Sequence, residues 1–147
     1  MRLTTFSDYS LRTLICLAVK DQSTIVEISR LYGISESHLN KVIHQLGVAG
    51  DIETIRGRGG GIRLARPPGT INVGTVVRRT EDLALVTCLE GGACLISPAC
   101  MLQTALKEAL AAFLAVLDTH TLADLIKPHK SLSSLLQLEP HAAARPN

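Results

Sequence analysis

Aromatic residues are scarce in this 147-residue sequence. They account for 3% of it and tryptophan is absent, although hydrophobic residues as a whole reach 46%. The core must therefore be built from leucine, isoleucine, valine and alanine. The sequence also lacks an apolar run long enough to span a membrane and a secretory signal segment, so we expect a cytoplasmic protein with no membrane partner. The length fits one modest domain with an extension.

Patterns typical of enzymes are missing as well. The histidines are scattered, and no nucleophile–base arrangement or open zinc motif is found. They lie at positions 38, 44, 120, 129 and 141. The phosphate-binding pattern G-x-x-x-x-G-K-[ST] is absent, and no parallel βαβ unit is predicted that could bind a nucleotide. We therefore predict that the protein is not an enzyme.

Charge is distributed unevenly along the chain. Residues 1–80 contain eleven Lys/Arg and six Asp/Glu, a net charge of +5, whereas residues 81–147 contain four and seven, a net charge of −3. A basic N-terminal part indicates an anionic partner such as nucleic acid. A solvated basic face is the alternative on charge alone.

Capping signals predict three helices in the N-terminal part. Ser7 and Asp8 can cap a first helix that runs to about Lys20, in which Cys16 is expected to be a packed or partly exposed residue and not a ligand. Thr24 and Glu27 form a capping box for a second helix, which Gly33 ends. The third helix, 36–48, follows a Ser35 cap. A helix, a short turn with glycine and a second helix predict a helix-turn-helix.

The third helix is predicted to read DNA. Its apolar residues can pack inward, which leaves a short polar and basic face for bases and phosphates. The candidate DNA-binding residues on this face are Ser35, Ser37, His38, Asn40, Lys41 and Gln45. An ordinary amphipathic helix would show polar residues on its outer face as well.

Two short strands, 51–56 and 61–65, predict a β-hairpin wing. The four residues that join them are Gly57-Arg58-Gly59-Gly60, a flexible basic tip. Arg56, Arg58 and Arg63 lie on this hairpin, where arginines can neutralise phosphates or enter a minor groove. Residues 1–80 are thus expected to form a winged helix-turn-helix DNA-binding domain.

Three of the four cysteines, Cys88, Cys94 and Cys100, are spaced six positions apart. Neither a helix nor a strand would bring them together, but a loop with Gly91, Gly92 and Pro98 can. Cysteines without a ligand role and disulfides are alternatives. Disulfides would leave one of the three local cysteines unpaired. Structural zinc prefers closely spaced cysteine pairs, so equal wide spacing favours an iron–sulfur cluster. We expect residues 81–101 to form its binding loop; a four-iron cluster would need one more ligand from elsewhere.

The C-terminal part is predicted to mediate dimerisation. After Cys100 a long helix should run to about Asp118 with a wide apolar stripe, and Thr121 should open a short helix. The stripe consists of Leu102, Leu106, Ala109, Leu110, Phe113, Val116 and Leu117. A two-fold partner helix could cover it, which predicts a homodimer through residues 102–130; packing on the N-terminal domain is the alternative. Residues 131–147 are expected to be weakly structured, ending in a flexible tail. The fold class is mainly α with a small β-hairpin wing.

Together these motifs resemble the iron–sulfur winged-helix transcriptional regulators that include IscR and NsrR. The resemblance covers about residues 1–130. Besides the cysteine loop, its carrying segments are 5–12 (TFSDYSLR), 34–42 (ISESHLNKV), 56–65 (RGRGGGIRLA) and 121–125 (TLADL). It implies a dimeric repressor that binds a palindromic operator on double-stranded DNA.

The cluster ligands separate the branches of this family. The IscR branch has a histidine three residues after the last cysteine, where this chain has Gln103, whereas segments 85–88 and 96–100 resemble the NsrR branch. That resemblance implies nitric oxide sensing by a [4Fe–4S] cluster, rather than a [2Fe–2S] cluster. Cys88, Cys94 and Cys100 would bind it, with Asp8 of the other subunit as the fourth ligand. Asp8 could also be only a first-turn acid that complements the helix dipole.

Two alternatives to nitric oxide sensing stay open. A regulator of the same fold could respond to iron–sulfur status or to general redox state. An iron–sulfur electron-transfer or carrier protein is an alternative from another class, but it would leave the helix-turn-helix and the arginine wing unexplained.

Overall fold

The computed structural model describes residues 2–86, 94–96 and 99–137, which form a mainly helical fold with one two-stranded hairpin. This confirms the predicted fold class. The helices are α1 (Thr5–Lys20), α2 (Ile25–Tyr32), α3 (Glu36–Val48), α4 (Val73–Thr80), α5 (Met101–Asp118), α6 (Leu122–Leu125) and α7 (His129–Gln137), and the strands are β1 (Ile52–Ile55) and β2 (Gly61–Leu64). A single 3-10 turn, Pro68–Thr70, precedes α4.

The core is built from aliphatic side chains, as the composition predicts. This core joins α1, α2, α3, the hairpin, α4 and α6. Its fully or almost fully buried members are Leu14, Leu17, Ile28, Ile34, Leu39, Val42, Leu46, Ile52, Ile62, Ile71, Val76 and Leu122. Cys16 is buried among them, which confirms it as a packed helix residue, and burial raises the pKa of its thiol.

Helix α1 begins earlier than predicted. Its N-cap is Thr4, whose hydroxyl accepts a hydrogen bond from the Ser7 N–H at 3.3 Å, so the predicted cap at Ser7 and Asp8 is wrong. Ser7 is instead buried, and its hydroxyl lies 2.7 Å from the hydroxyl of Thr80 at the end of α4. Packing against α4 therefore decides which of several polar residues caps the helix.

The helix-turn-helix follows from its local signals. The Thr24–Glu27 capping box is present, and Gly33 ends α2 with φ +65°, a conformation that few other residues adopt without strain. The Ser35 hydroxyl then caps α3 by accepting the His38 N–H at 3.3 Å. The structure thus confirms the predicted capping box, turn and third helix. They could be predicted because each signal acts within a few residues.

The hairpin is antiparallel and pairs Ile52 with Leu64 and Ile55 with Gly61. It is fastened to the loop before α2, since Ser23 and Ile62 exchange backbone hydrogen bonds of 3.0 and 2.8 Å. At Gly60, a Cβ atom would lie 2.3 Å from the Ile55 carbonyl oxygen, so the hairpin tip closes only around a glycine.

Helix α5 packs on α4 and keeps part of its apolar surface exposed. Arg78 of α4 binds Asp118 of α5 through two hydrogen bonds of 2.5 and 2.6 Å, and Leu114 is buried. The predicted stripe is divided by this packing. Leu106, Leu110, Phe113 and Leu117 are half-buried, whereas Leu102, Ala109 and Val116 are exposed.

The C-terminal segment from Ser131 was expected to be weakly structured, and this prediction is wrong up to Gln137, where α7 ends. Leu136 is buried, and α7 packs against α1. The four-residue spacing of Leu132 and Leu136 gives the helix an apolar side for this contact. The predicted tail beyond residue 137 lies outside the described residues. None of the described helices is both long and apolar enough to cross a membrane.

Candidate nucleic-acid interface and cysteine segment

Helix α3 presents one apolar and one polar side. Leu39, Val42 and Leu46 are buried in the core, and they hold the helix against α1 and α2. The opposite side is exposed to solvent. Its exposed polar residues are Ser35, Glu36, Ser37, His38, Asn40, Lys41 and His44. This arrangement provides the outward-facing surface that a DNA-reading helix needs.

Hydrogen bonds fix the start of this polar side. The hydroxyl of Ser35 lies 3.1 Å from Nδ1 of His38, and the His38 ring lies 6.2 Å from the ring of Tyr9 in α1. Nδ2 of Asn40 donates to the Glu36 carbonyl at 2.8 Å. Ser35 and His38 therefore shape the first turn of the helix at the same surface where they were predicted to meet DNA.

Gln45 differs from the other predicted DNA-binding residues of α3. It is half-buried, and its Nε2 donates a 3.0 Å hydrogen bond to the backbone carbonyl of Arg79 in α4. The amphipathic pattern had placed Gln45 on the outer face. Since α4 packs beside the end of α3, this side chain contacts the protein itself.

The wing carries two exposed arginines, Arg56 and Arg58, next to its tip. Nε2 of Gln22 donates to the Gly59 carbonyl at 2.8 Å, which holds the tip against the loop before α2. Arg63 is also exposed, but its Nε lies 2.6 Å from Glu53 on the opposite strand. Much of the Arg63 charge is thus compensated within the wing.

A buried carboxylate at the base of the wing was not predicted. Asp51 has no exposed surface; its Oδ1 binds Arg66, and its Oδ2 accepts a 2.5 Å hydrogen bond from Arg79. Arg66 also donates to the Thr70 carbonyl at 3.1 Å. No local sequence pattern marks this group, because its partners lie 15 and 28 residues away along the chain.

The described part of the cysteine segment contains two free thiols. Cys94 is exposed, and Cys100 is half-buried at the start of α5, where its Sγ accepts the Gln103 N–H at 3.4 Å. Cys88 lies outside the described residues. Across residues 2–86, 94–96 and 99–137 no three His, Cys, Asp or Glu side chains come close enough together to hold a metal ion.

Asp8 lies in the first turn of α1 and is about half exposed. Its Oδ1 is 2.9 Å from Nε of Arg12, and the Arg12 guanidinium lies 5.7 Å from the centre of the Tyr32 ring in α2. Asp8 is therefore accessible to another molecule, and it is connected through Arg12 to the helix-turn-helix. In this chain it is well separated in sequence from the two thiols.

Comparison with known proteins identifies relatives along almost the whole chain. The Rrf2 family, described as "Iron-dependent Transcriptional regulator", matches residues 3–128. A protein of Bacillus subtilis (strain 168) called HTH-type transcriptional regulator NsrR is 50% identical, over 95% of this chain and 99% of the relative. A Geobacillus kaustophilus (strain HTA426) protein of the same name is 50% identical over 93% and 97%.

Solved structures give the same picture of the fold. The structure of T. potens IscR superposes with a TM-score of 0.69 at 27% identity and covers 87% of this chain and 88% of that one. The oxidized form of Staphylococcus aureus CymR also gives 0.69 at 27% identity, covering 86% and 97%. These similarities bear out the family that the sequence motifs resemble.

Proposed function

Because this chain belongs to the Rrf2 family of transcriptional regulators, we propose that it is a dimeric repressor that senses nitric oxide through a [4Fe–4S] cluster. The observation that carries the DNA-binding part of the proposal is the exposed polar side of α3 beside a wing with exposed Arg56 and Arg58. Relatives named NsrR, with half of their residues identical, support the regulatory role. We assign residues 1–80 to DNA binding, 81–101 to the cluster and 102–130 to dimerisation.

In the proposed complex, α3 enters the major groove of the operator. Ser37, Asn40 and Lys41 are exposed on this helix and can reach base edges and phosphates. Arg56 and Arg58 at the wing tip are placed to contact the adjacent backbone or minor groove. Two subunits related by a two-fold axis would read the two halves of a palindrome.

The chemistry of the donor residues fits an iron–sulfur cluster. Cys94 and Cys100 are free thiols, and thiolates are the ligands that such clusters prefer. Cys100 also accepts the Gln103 N–H, which orients its Sγ at the start of α5. With Cys88, these residues would supply three ligands.

We propose Asp8 of the second subunit as the fourth ligand. Its exposed position on α1 makes it accessible across a dimer, and its pairing with Arg12 must open or rearrange for the carboxylate to bind iron. In the bound cluster, one iron atom would have the Asp8 carboxylate as its ligand, which is harder and weaker than a thiolate. A small molecule such as nitric oxide would react most readily at this iron. Arg12 would hold the free carboxylate in place until it binds iron.

The proposal is tested by anaerobic purification, with iron and sulfide counted and nitric oxide titrated while DNA binding is followed. The DNA is a duplex selected by the protein from a randomised library. We expect about four irons per subunit and loss of DNA affinity in parallel with loss of the cluster. Cys94→Ala and Cys100→Ala should abolish cluster assembly, whereas Cys16→Ala, the control at a buried cysteine of α1, should retain it.

Three outcomes would contradict parts of the proposal. Release of DNA on iron depletion but not with nitric oxide would indicate a sensor of iron–sulfur status. A cluster-bearing protein without salt-sensitive, sequence-selective duplex binding would indicate an electron carrier. An Asp8→Ala protein with an unchanged cluster spectrum and nitric oxide response would exclude Asp8 as the fourth ligand.

A further inference from the structure

Gln45 lies on the DNA-reading helix, but its amide is bound within the protein. Lys41, one turn earlier on α3, is exposed, whereas Gln45 is half-buried and donates its Nε2 proton to the Arg79 carbonyl at 3.0 Å. The Arg79 carbonyl belongs to the last turn of α4, where backbone carbonyls lack partners within the helix. The hydrogen bond therefore satisfies a group that α4 itself leaves open.

The same Arg79 also holds the base of the wing. Its Nη2 donates to Oδ2 of the buried Asp51 at 2.5 Å, and Asp51 directly precedes β1. The Asp51 carbonyl in turn accepts the N–H of Ala65, just after β2, at 2.9 Å. The end of α4 is thus connected through one residue to the DNA-reading helix on one side and to both wing strands on the other.

The two residues after Arg79 fasten this junction to α1. The hydroxyls of Thr80 and Ser7 lie 2.7 Å apart, and Oε1 of Glu81 accepts the Thr4 N–H at 2.6 Å. Residues 79–81 therefore form a fixed point against which the end of α3 is held. Gln45 is the side chain by which α3 reaches it.

From these contacts we infer that Gln45 is a positioning residue, which sets the DNA-reading helix relative to the wing and α4 instead of reading a base. This inference rests on the proposed DNA interface. A residue that reads a base affects the preference at one operator position, whereas a residue that positions the helix affects binding to all sequences alike. Gln45 should therefore change affinity without changing base preference.

The test compares Gln45→Met with Lys41→Met, a matched substitution one turn earlier on the exposed side. Base preferences are measured by selection from a randomised duplex library, and amide hydrogen exchange is measured on the free proteins. For Gln45→Met we expect the same preferred bases, an affinity lowered about three- to tenfold for every sequence, and faster exchange in the last turn of α3. Lys41→Met should leave exchange in that turn unchanged.

A Gln45→Met protein that loses its preference at one base position, with hydrogen exchange unchanged, would overturn the inference and identify Gln45 as a base-reading residue. Unchanged affinity together with unchanged exchange would overturn it too. Wild-type protein that selects no duplex sequence would instead refute the proposed DNA interface, and the positioning role with it.

Discussion

Arg12 connects two helices through one side chain. Its Nε pairs with Asp8 on α1, its guanidinium lies over the Tyr32 ring on α2, and its backbone carbonyl accepts the Tyr32 hydroxyl at 3.3 Å. The ion pair is about half exposed and contributes at most about 1 kcal/mol, and the cation–π contact contributes a similar amount. The connection is therefore weak enough for Asp8 to be recruited elsewhere without unfolding α1.

Tyr32 has a measurable property of its own at alkaline pH, which burial causes and the Arg12 charge opposes. Burial, followed by the charge of Cys16, raises the pKa of Tyr32 from 10.0 to about 12. Because the folded state holds the proton more tightly, this contribution to stability is complete below pH 10 and is lost between pH 10 and 12. We expect the free energy of unfolding to fall further in this window in the wild type than in Tyr32→Phe. Because Tyr32 is only half-buried, the difference should be smaller than the full pKa shift would give.

Urea unfolding followed by circular dichroism across this pH range measures the difference, and phenolate absorbance reports the titration itself. Tyr9→Phe serves as the control, because it removes the other tyrosine of the chain. Equal losses of stability in the wild type and in Tyr32→Phe would show that the raised pKa of Tyr32 does not cause the loss.

At the scale of the elements, Asp51 determines how α3, the wing and α4 fit together. Its fully buried carboxylate lies between Arg66, which follows β2, and Arg79, near the end of α4. A buried charge is tolerated only when it is paired and hydrogen-bonded. The orientation of the wing relative to the DNA-reading helix therefore depends on the two ion pairs of this carboxylate.

Asp51→Asn should destabilise the protein strongly. The substitution keeps the shape of the side chain but leaves two arginines without their negative partner. Because Arg66 and Arg79 keep 37% and 30% of their side-chain surface exposed, we expect a loss below the value of about 3–5 kcal/mol that is typical of a fully buried pair. Urea unfolding at neutral pH measures the loss. Glu53→Gln is the control, because its pair with Arg63 on the same hairpin is about half exposed and should contribute no more than about 1 kcal/mol. Comparable losses for the two variants would refute the special role of Asp51.

The sequence predicted those elements whose signals are local. The capping box at Thr24, the turn at Gly33 and the glycines of the wing act within a few residues, so their patterns can be recognised without knowledge of the fold. The cap of α1 could not be predicted in this way, because the Ser7 hydroxyl is hydrogen-bonded to the hydroxyl of Thr80, 73 residues away.

Contacts between distant elements account for the other differences. Gln45 lies on the outer side of an isolated α3, and its amide binds the Arg79 carbonyl at the end of α4, 34 residues further on. Helix α7 has only nine residues, too few for a stable helix on its own, and it packs against α1. Of the predicted cluster ligands, the structure describes Cys94, Cys100 and Asp8 but not Cys88, and the whole ligand set stays a prediction.

At the scale of the whole molecule, the proposed dimer would form through an exposed face of α5. Five of its exposed apolar residues recur with alternating spacings of three and four, which is typical of the contact line between two packed helices. They are Leu102, Ala105, Ala109, Ala112 and Val116. The other side of α5 is fixed to its own domain through Leu114 and Asp118. This line of residues is therefore available to a two-fold partner, and the small alanines would allow close approach.

Ala109→Glu should convert the proposed dimer into a monomer, because it places a carboxylate in the middle of this line on both helices. Light scattering coupled to size-exclusion chromatography measures the change, and affinity for a palindromic duplex should fall by about a hundredfold or more as the second half-site contact is lost. Ala111→Glu is the matched control: it introduces the same charge on the same helix, about 130° away from the line, and should remain dimeric. If the wild type is a monomer, or if both variants keep the dimer mass, this face of α5 does not form the interface.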